Sequence, residues 1–221
     1  VENSEDESEA ESFAAGDDVA IAGSEDEAGA SENANALPVA RQQETAAMTP
    51  VERLAAKADG KQWELVENQR GITYYKLFGP YLASAKKIVV EDAYVRKPYQ
   101  LRNLAEFLEM LLRCKNSDED VAVHLVTGHN EPGFVEAQLN GLNELASTFS
   151  QLGVNLTYEF RDTLHDRSIT TDTGWEILPG RGLDIFQKFV DGDWLNPLLR
   201  HQQLRRVKEC KVTYRRIDEK Q

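Results

Sequence analysis

Three residues in the C-terminal half, His165, Arg167 and Asp172, stand in the pattern H-x-R-x4-D. A guanidinium grips phosphate oxygens through paired N–H bonds, and an imidazole two residues away can share that anion or move a proton. The same residues could instead form a buried hydrogen-bonding set, with Asp166 or Asp172 as counter-ion, fixing the turn before a strand.

Further candidates follow from where strands end. KKIVVED, residues 86 to 92, is a β-branched run closing in acids, the mark of a buried strand. Behind it a helix sets Leu101, Leu104, Ala105, Leu108, Leu111 and Leu112 on one face. VAVHLVTG, residues 121 to 128, is the next strand. The helix after it carries Leu142, Leu145, Phe149 and Leu152 on a stripe before Gly153 closes it. VNLTYEF, residues 154 to 160, is a third strand. Such an alternation predicts right-handed crossovers and an α/β fold with a mixed, mostly parallel sheet flanked by helices. Shorter strands are expected over His165 to Thr171, Gly174 to Leu178 and Val207 to Tyr214.

Ligands of open α/β sheets lie beyond the carboxyl ends of the strands. There the sequence puts Asp92, Tyr94 and Arg96 after the first strand, and Thr127, Gly128 and His129 after the second. Asp92, Tyr94 and Thr127 are expected to line or anchor the cleft, and Arg96, His129, Arg167 and Arg181 to face an anion. Arg181 lies between Gly180 and Gly182, a tight turn whose backbone N–H groups could approach that anion. The stretch LLRHQQLRRVKECKVTYRR adds Arg205 and Arg206 as anion-binding candidates, beside Arg200, Lys208, Lys211, Arg215 and Arg216. It reads either as an electropositive face or as a solvated strand with Val207, Val212 and Tyr214 turned inward.

The net charge of -13 divides unevenly. Residues 1 to 50 hold 13 acidic side chains and one basic one, hence -12; the remainder holds 25 acids and 24 bases, hence -1. Residues 1 to 49, rich in Ser, Glu, Asp, Ala and Gly, cannot bury enough apolar area to offset ordering entropy and are expected to form a disordered acidic tail or linker. Residues 50 to 69 are expected as a helical or irregular connector, with Thr49 capping a helix that has Pro50 at its first position. The domain proper runs from 70 to 221. The chain begins with Val1 and lacks a signal-peptide pattern, so it reads as a fragment or processed piece. No apolar run reaches bilayer length. Cys114 and Cys210 are too few for a disulfide scaffold and are expected to be reduced, which suits a cytoplasmic location. P-loop, dinucleotide, metal-ligand and serine-elbow patterns are missing, so no cofactor or metal is implied.

The segments EDAYVRKPYQLRNLAEFLEML, HLVTGHNE and LHDRSITTDTGWEILPGRGLDIFQK resemble, in order and spacing, the phospholipase D-like C-terminal domain of MIT-domain proteins. The resemblance covers about Thr73 to about Arg216. It implies a half of the phospholipase D fold, used in eukaryotic relatives as a module at anionic phosphoinositide surfaces serving abscission, and so a peripheral membrane location. Domains of this kind also look to be appended to bacterial Lon-like AAA+ phage-defence proteins. That placement would give an upstream ATPase in the same chain and a nucleic-acid backbone as partner.

In the enzymes of the superfamily, a His-x-Lys with a following Asp supplies nucleophile, phosphate clamp and imidazole-orienting carboxylate. The matching residues are His165 and Asp172 as the catalytic pair, with Arg167 in place of the lysine. Arginine is a planar fork where the enzymes use a compact charge, so binding should survive the change better than catalysis. One motif also makes half a site, which only a homodimer could complete. The favoured expectation is a non-enzymatic module docking an anionic lipid or other phosphate-bearing surface. The alternatives are a nucleic-acid-contacting or partner-contacting domain of a larger ATPase and a dimeric phosphodiesterase using His165.

Overall fold

The computed structural model describes residues 48–188 and 195–217. The expected acidic tail lies almost wholly outside the described residues. The first described helix, α1 (Pro50–Ala55), is closed by a reciprocal cap: Thr49 accepts from the Glu52 N–H while the Glu52 carboxylate accepts from the Thr49 N–H. A three-residue strand, β1 (Trp63–Leu65), follows. Val51, Leu54 and Leu65 all enter the main core. Residues 50 to 69, expected as a connector, are therefore built into the domain.

Two one-turn helices come next, α2 (Tyr74–Leu77) and α3 (Gly79–Leu82), split at Phe78 because Pro80 supplies no N–H to continue the first. The parallel core is β2 (Lys87–Asp92), α4 (Pro98–Leu112), β3 (Val121–Thr127), α5 (Val135–Ser150) and β4 (Val154–Phe160). It continues into β5 (Arg167–Thr171), β6 (Trp175–Pro179), a short α6 (Pro197–Arg200) and β7 (Cys210–Arg216). The sheet has seven strands in the order β1-β7-β6-β5-β2-β3-β4.

The fold is mixed α/β, but parallel pairing is the smaller share. β2 with β3 and β3 with β4 run parallel, while β2–β5, β5–β6, β6–β7 and β1–β7 are antiparallel. Among the described residues only β2 to β4 are joined through helices long enough for crossovers. β5 and β6 are joined by a turn through Gly174 at φ +79, and so short a link can make only a hairpin.

One face of the sheet carries the core. Ile88, Val90, Val123, Leu125, Leu156, Ile169, Ile177 and Val212 alternate inward and pack with Leu104, Phe107, Leu108 and Leu111 of α4. Each fully buried Leu or Phe contributes about 2 to 3 kcal/mol of transfer free energy. On the opposite face Lys87, Val89, Ala122, Asn155, Thr157 and Glu159 are exposed, with His124 half-buried. Leu152, expected on the apolar stripe of α5, is instead 50% exposed, because the helix stops at Ser150 and turns through Gly153 at φ +75.

Candidate functional site

Because β5 runs antiparallel to β2, the start of β5 lies beside the end of β2, and Asp92 is opposite Arg167 in register. The ends of β2, β3, β4 and β6 thus share one rim with the starts of β5 and β7. That rim holds Asp92, Tyr94, Arg96, Thr127, His129, His165, Arg167 and Arg181, drawn from loops far apart in sequence.

Asp92 is its anchor. The residue is 3% exposed, and its carboxylate accepts from the N–H groups of Tyr94 and Leu183, both at 3.0 Å. Arg167 Nε lies 3.8 Å from Asp92 Oδ1, an ion-pair distance too long for a hydrogen bond. Burial pushes the Asp92 carboxyl above its ordinary range, and the two N–H bonds and Arg167 oppose that rise. Gly182, at φ +59, passes so near Asp92 Oδ2 that a β-carbon there would overlap it.

Above this anchor two guanidiniums converge on one ring. Arg167 lies 4.6 Å and Arg96 5.3 Å from the centroid of Tyr94, which is itself 44% exposed. Arg167 donates from Nη1 to the Gly180 carbonyl at 2.9 Å, and Arg96 from Nε to the Ala93 carbonyl at 2.7 Å. Arg96 also packs against Gly128, where any β-carbon would strike its Nη2. Each arginine is aimed by a backbone carbonyl, which leaves much of its donor fork without an acid bound to it. Among the described residues no carboxylate comes within ion-pair distance of Arg96.

The neighbouring loop is fixed by Phe160, Asp162 and Gln138, which the sequence pattern did not single out. His129 stacks on Phe160 with centroids 4.2 Å apart, and its Nδ1 lies 3.0 Å from Asp162 Oδ2. The His129 N–H also donates to Asp162 at 2.8 Å. That backbone bond first, then the imidazole, hold the Asp162 carboxyl below its ordinary range. Buried Gln138 donates to the carbonyls of Val95 and Gly128 and accepts from the Asn130 N–H, tying the β2–α4 loop to the β3–α5 loop. Its signal was a lone amide one turn before Leu142 on an otherwise apolar stripe. Thr127 Oγ1 accepts from the Val95 N–H in the same seam.

Other candidates do not join the rim in the expected roles. Asp172 lies past the far end of β5, where its carboxylate accepts from the Lys86 N–H at 3.0 Å. Five strand residues separate it from the His165 end, about 16 Å of chain, so it cannot orient that imidazole. His165 is exposed and forms no hydrogen bond with a described residue. Arg205, expected to face an anion, is 4% exposed; it donates to Glu106 at 2.8 Å and lies on the Phe186 ring, with burial lowering its pKa. Arg206 is exposed but belongs to a separate cavity with Arg70, Lys188 and Leu204. Arg181 is exposed at the rim and donates from Nε to the Glu209 carbonyl. In the basic C-terminal stretch, Lys208 pairs with Asp184 and Arg215 with Glu176, so much of its charge is matched internally.

No helix of the described residues is long and apolar enough to cross a membrane. Both cysteines are free thiols, and burial drives Cys114 up to about 12.

Residues 71–216 match the family model described as the phospholipase D-like domain at the C-terminus of MIT. The chain is also similar to MIT domain-containing protein 1 of Mus musculus, with 37% identity over 138 residues. That match covers 60% of this chain and 54% of the relative, so the chain spans about half the length of that protein. With its mixed sheet, its helices and its H-x-R motif at the strand tips, this chain belongs to the family of phospholipase D-like domains found at the C-terminus of MIT proteins.

Proposed function

We propose that the rim is a docking site for phosphate groups on an anionic surface, with lipid headgroups as the target, and that the domain binds without hydrolysing. The observation that carries this reading is the convergence of Arg96 and Arg167 on exposed Tyr94. Arg96, aimed by a carbonyl with no carboxylate in ion-pair range, and Arg167, which turns only its Nε side to Asp92, retain donors for phosphate oxygens. His129, His165 and Arg181 lie along the same rim, and Arg181 adds to its positive field. The separation of Asp172 from His165 favours binding over a phospholipase-type reaction.

Flotation of the full chain with vesicles of neutral lipid, or with added anionic phosphoinositide, tests the reading at two salt concentrations. Anionic vesicles should capture more protein, less so at high salt, and Arg96→Ala should lower capture while the fold persists. Equal capture by both vesicle types, or an Arg96→Ala protein that floats like the parent, would overturn it.

A further inference from the structure

Two adjoining cavities lie on the helical side of the domain, away from the rim. The smaller, about 300 Å³, is walled by Leu54, Trp63, Tyr75, Pro80 and Tyr81. The larger, about 550 Å³, lies between α2, the second half of α4 and residues 200–203. Tyr75 and Lys76 of α2 line both, so the two form one groove. α4 begins at the rim and ends beside the groove, with Arg113 just past its last turn, and its 15 residues put about 22 Å between the two. The walls are pinned together by Gln202, which accepts from the Tyr74 N–H at 2.9 Å and donates to Glu106 at 2.9 Å.

Among the described residues three acids line this groove, and two are engaged. Asp59 pairs with Lys61 at 3.2 Å, and Glu106 with Arg205 at 2.8 Å. Partial burial, then the nearby Glu106, raises the carboxyl of the third, Glu109, above its ordinary range. The bases are not matched in this way. Among the described residues no carboxylate comes within ion-pair distance of Lys57, Lys76, Arg113 or Arg200, all of them exposed. Lys76 donates to the Gly71 carbonyl at 2.7 Å, and Arg113 lies 5.0 Å from the centroid of the Tyr75 ring. An aromatic cavity with a carboxylate at its edge would suit a cationic ligand, but Lys57 and Lys76 line that same cavity and Lys61 already occupies Asp59.

We propose that the groove docks a short acidic peptide of a partner protein, which seats one large apolar side chain among Trp63, Tyr75 and Tyr81 and turns its carboxylates to Arg113 and Arg200. Charge complementarity selects an acid-rich partner. A concave aromatic cavity takes in a single side chain, whereas a flat lipid surface does not enter it.

Fluorescence anisotropy of the full chain with a labelled peptide, one Phe between two pairs of Glu, tests the docking. The peptide should bind, and replacing its Phe by Ala or its Glu residues by Gln should each weaken it roughly tenfold. Arg113→Glu and Arg200→Glu should weaken binding by a similar factor, with circular dichroism confirming that each variant folds. Arg96→Ala, at the rim, should still bind the peptide like the parent, which separates this site from the one that meets lipid phosphates. No binding at any protein concentration would overturn the inference. So would a peptide indifferent to loss of its Phe or to both charge reversals, one lost with Arg96→Ala, or one displaced equally well by inorganic phosphate or a single-stranded oligonucleotide.

Discussion

Arg167 faces Asp92 across the β2–β5 register at 3.8 Å, so one arginine both compensates a buried carboxylate and contributes to an exposed cationic rim. Arg167→Ala should accordingly change two quantities together. Loss of the counter-ion should cost about 2 kcal/mol, below the usual 3 to 5 for a broken buried pair, because two N–H bonds remain on Asp92. Urea denaturation should show this, and the deficit should shrink in acid, where a carboxyl already raised by burial takes up a proton more readily. Arg96→Ala, with no carboxylate within ion-pair distance, should impair vesicle capture with a far smaller stability cost.

Gly182→Ala tests the anchor from the other side. The left-handed φ of +59 and the overlap with Asp92 Oδ2 together predict a loss of about 2 kcal/mol or more, measured by thermal melting. Gly133→Ala is the control, since a β-carbon there meets nothing within 4 Å and φ is not positive; its effect should stay within about 0.5 kcal/mol.

Arg205→Ala separates structure from binding. Removing the most buried of the partners of Glu106, which keeps Gln202 and Arg102, should cost about 3 kcal/mol in denaturation while leaving the affinity of the folded protein for anionic vesicles unchanged.

The two acids of the rim should titrate in opposite senses, followed by carboxyl carbon chemical shifts. Asp92 should protonate above 3.8 and Asp162 below it. Asp162, lowered by His129, stabilises the fold above its unfolded value, and that contribution is lost as pH falls through the folded value. Asp92 has the reverse sign: between its unfolded and folded values the native state holds the extra proton, so its contribution improves on acidification.

The parallel half of the fold was legible because β2 and β3 are rich in β-branched residues, Val154 to Phe160 alternates apolar with polar residues between the same bounds in sequence and structure, and each helix carries an apolar stripe. β1 was not, since three residues carry no period and its existence depends on the β7 edge that it covers. The rim was legible in part. Strand ends locate Asp92, Tyr94, Arg96 and His129, but the charge of Arg205 gave no warning that Glu106 on α4 would claim it. Nor does the spacing of His165 and Asp172 reveal that an extended strand carries them apart.

The family match begins at residue 71, downstream of β1. A recombinant piece trimmed to that boundary would strip Trp63–Leu65 from β7 and bare a second open edge, along with the core side of Leu65 and the place of Val51 and Leu54. Such a piece should precipitate or oligomerise without limit, and useful protein should begin at Thr49, where the first helix is capped.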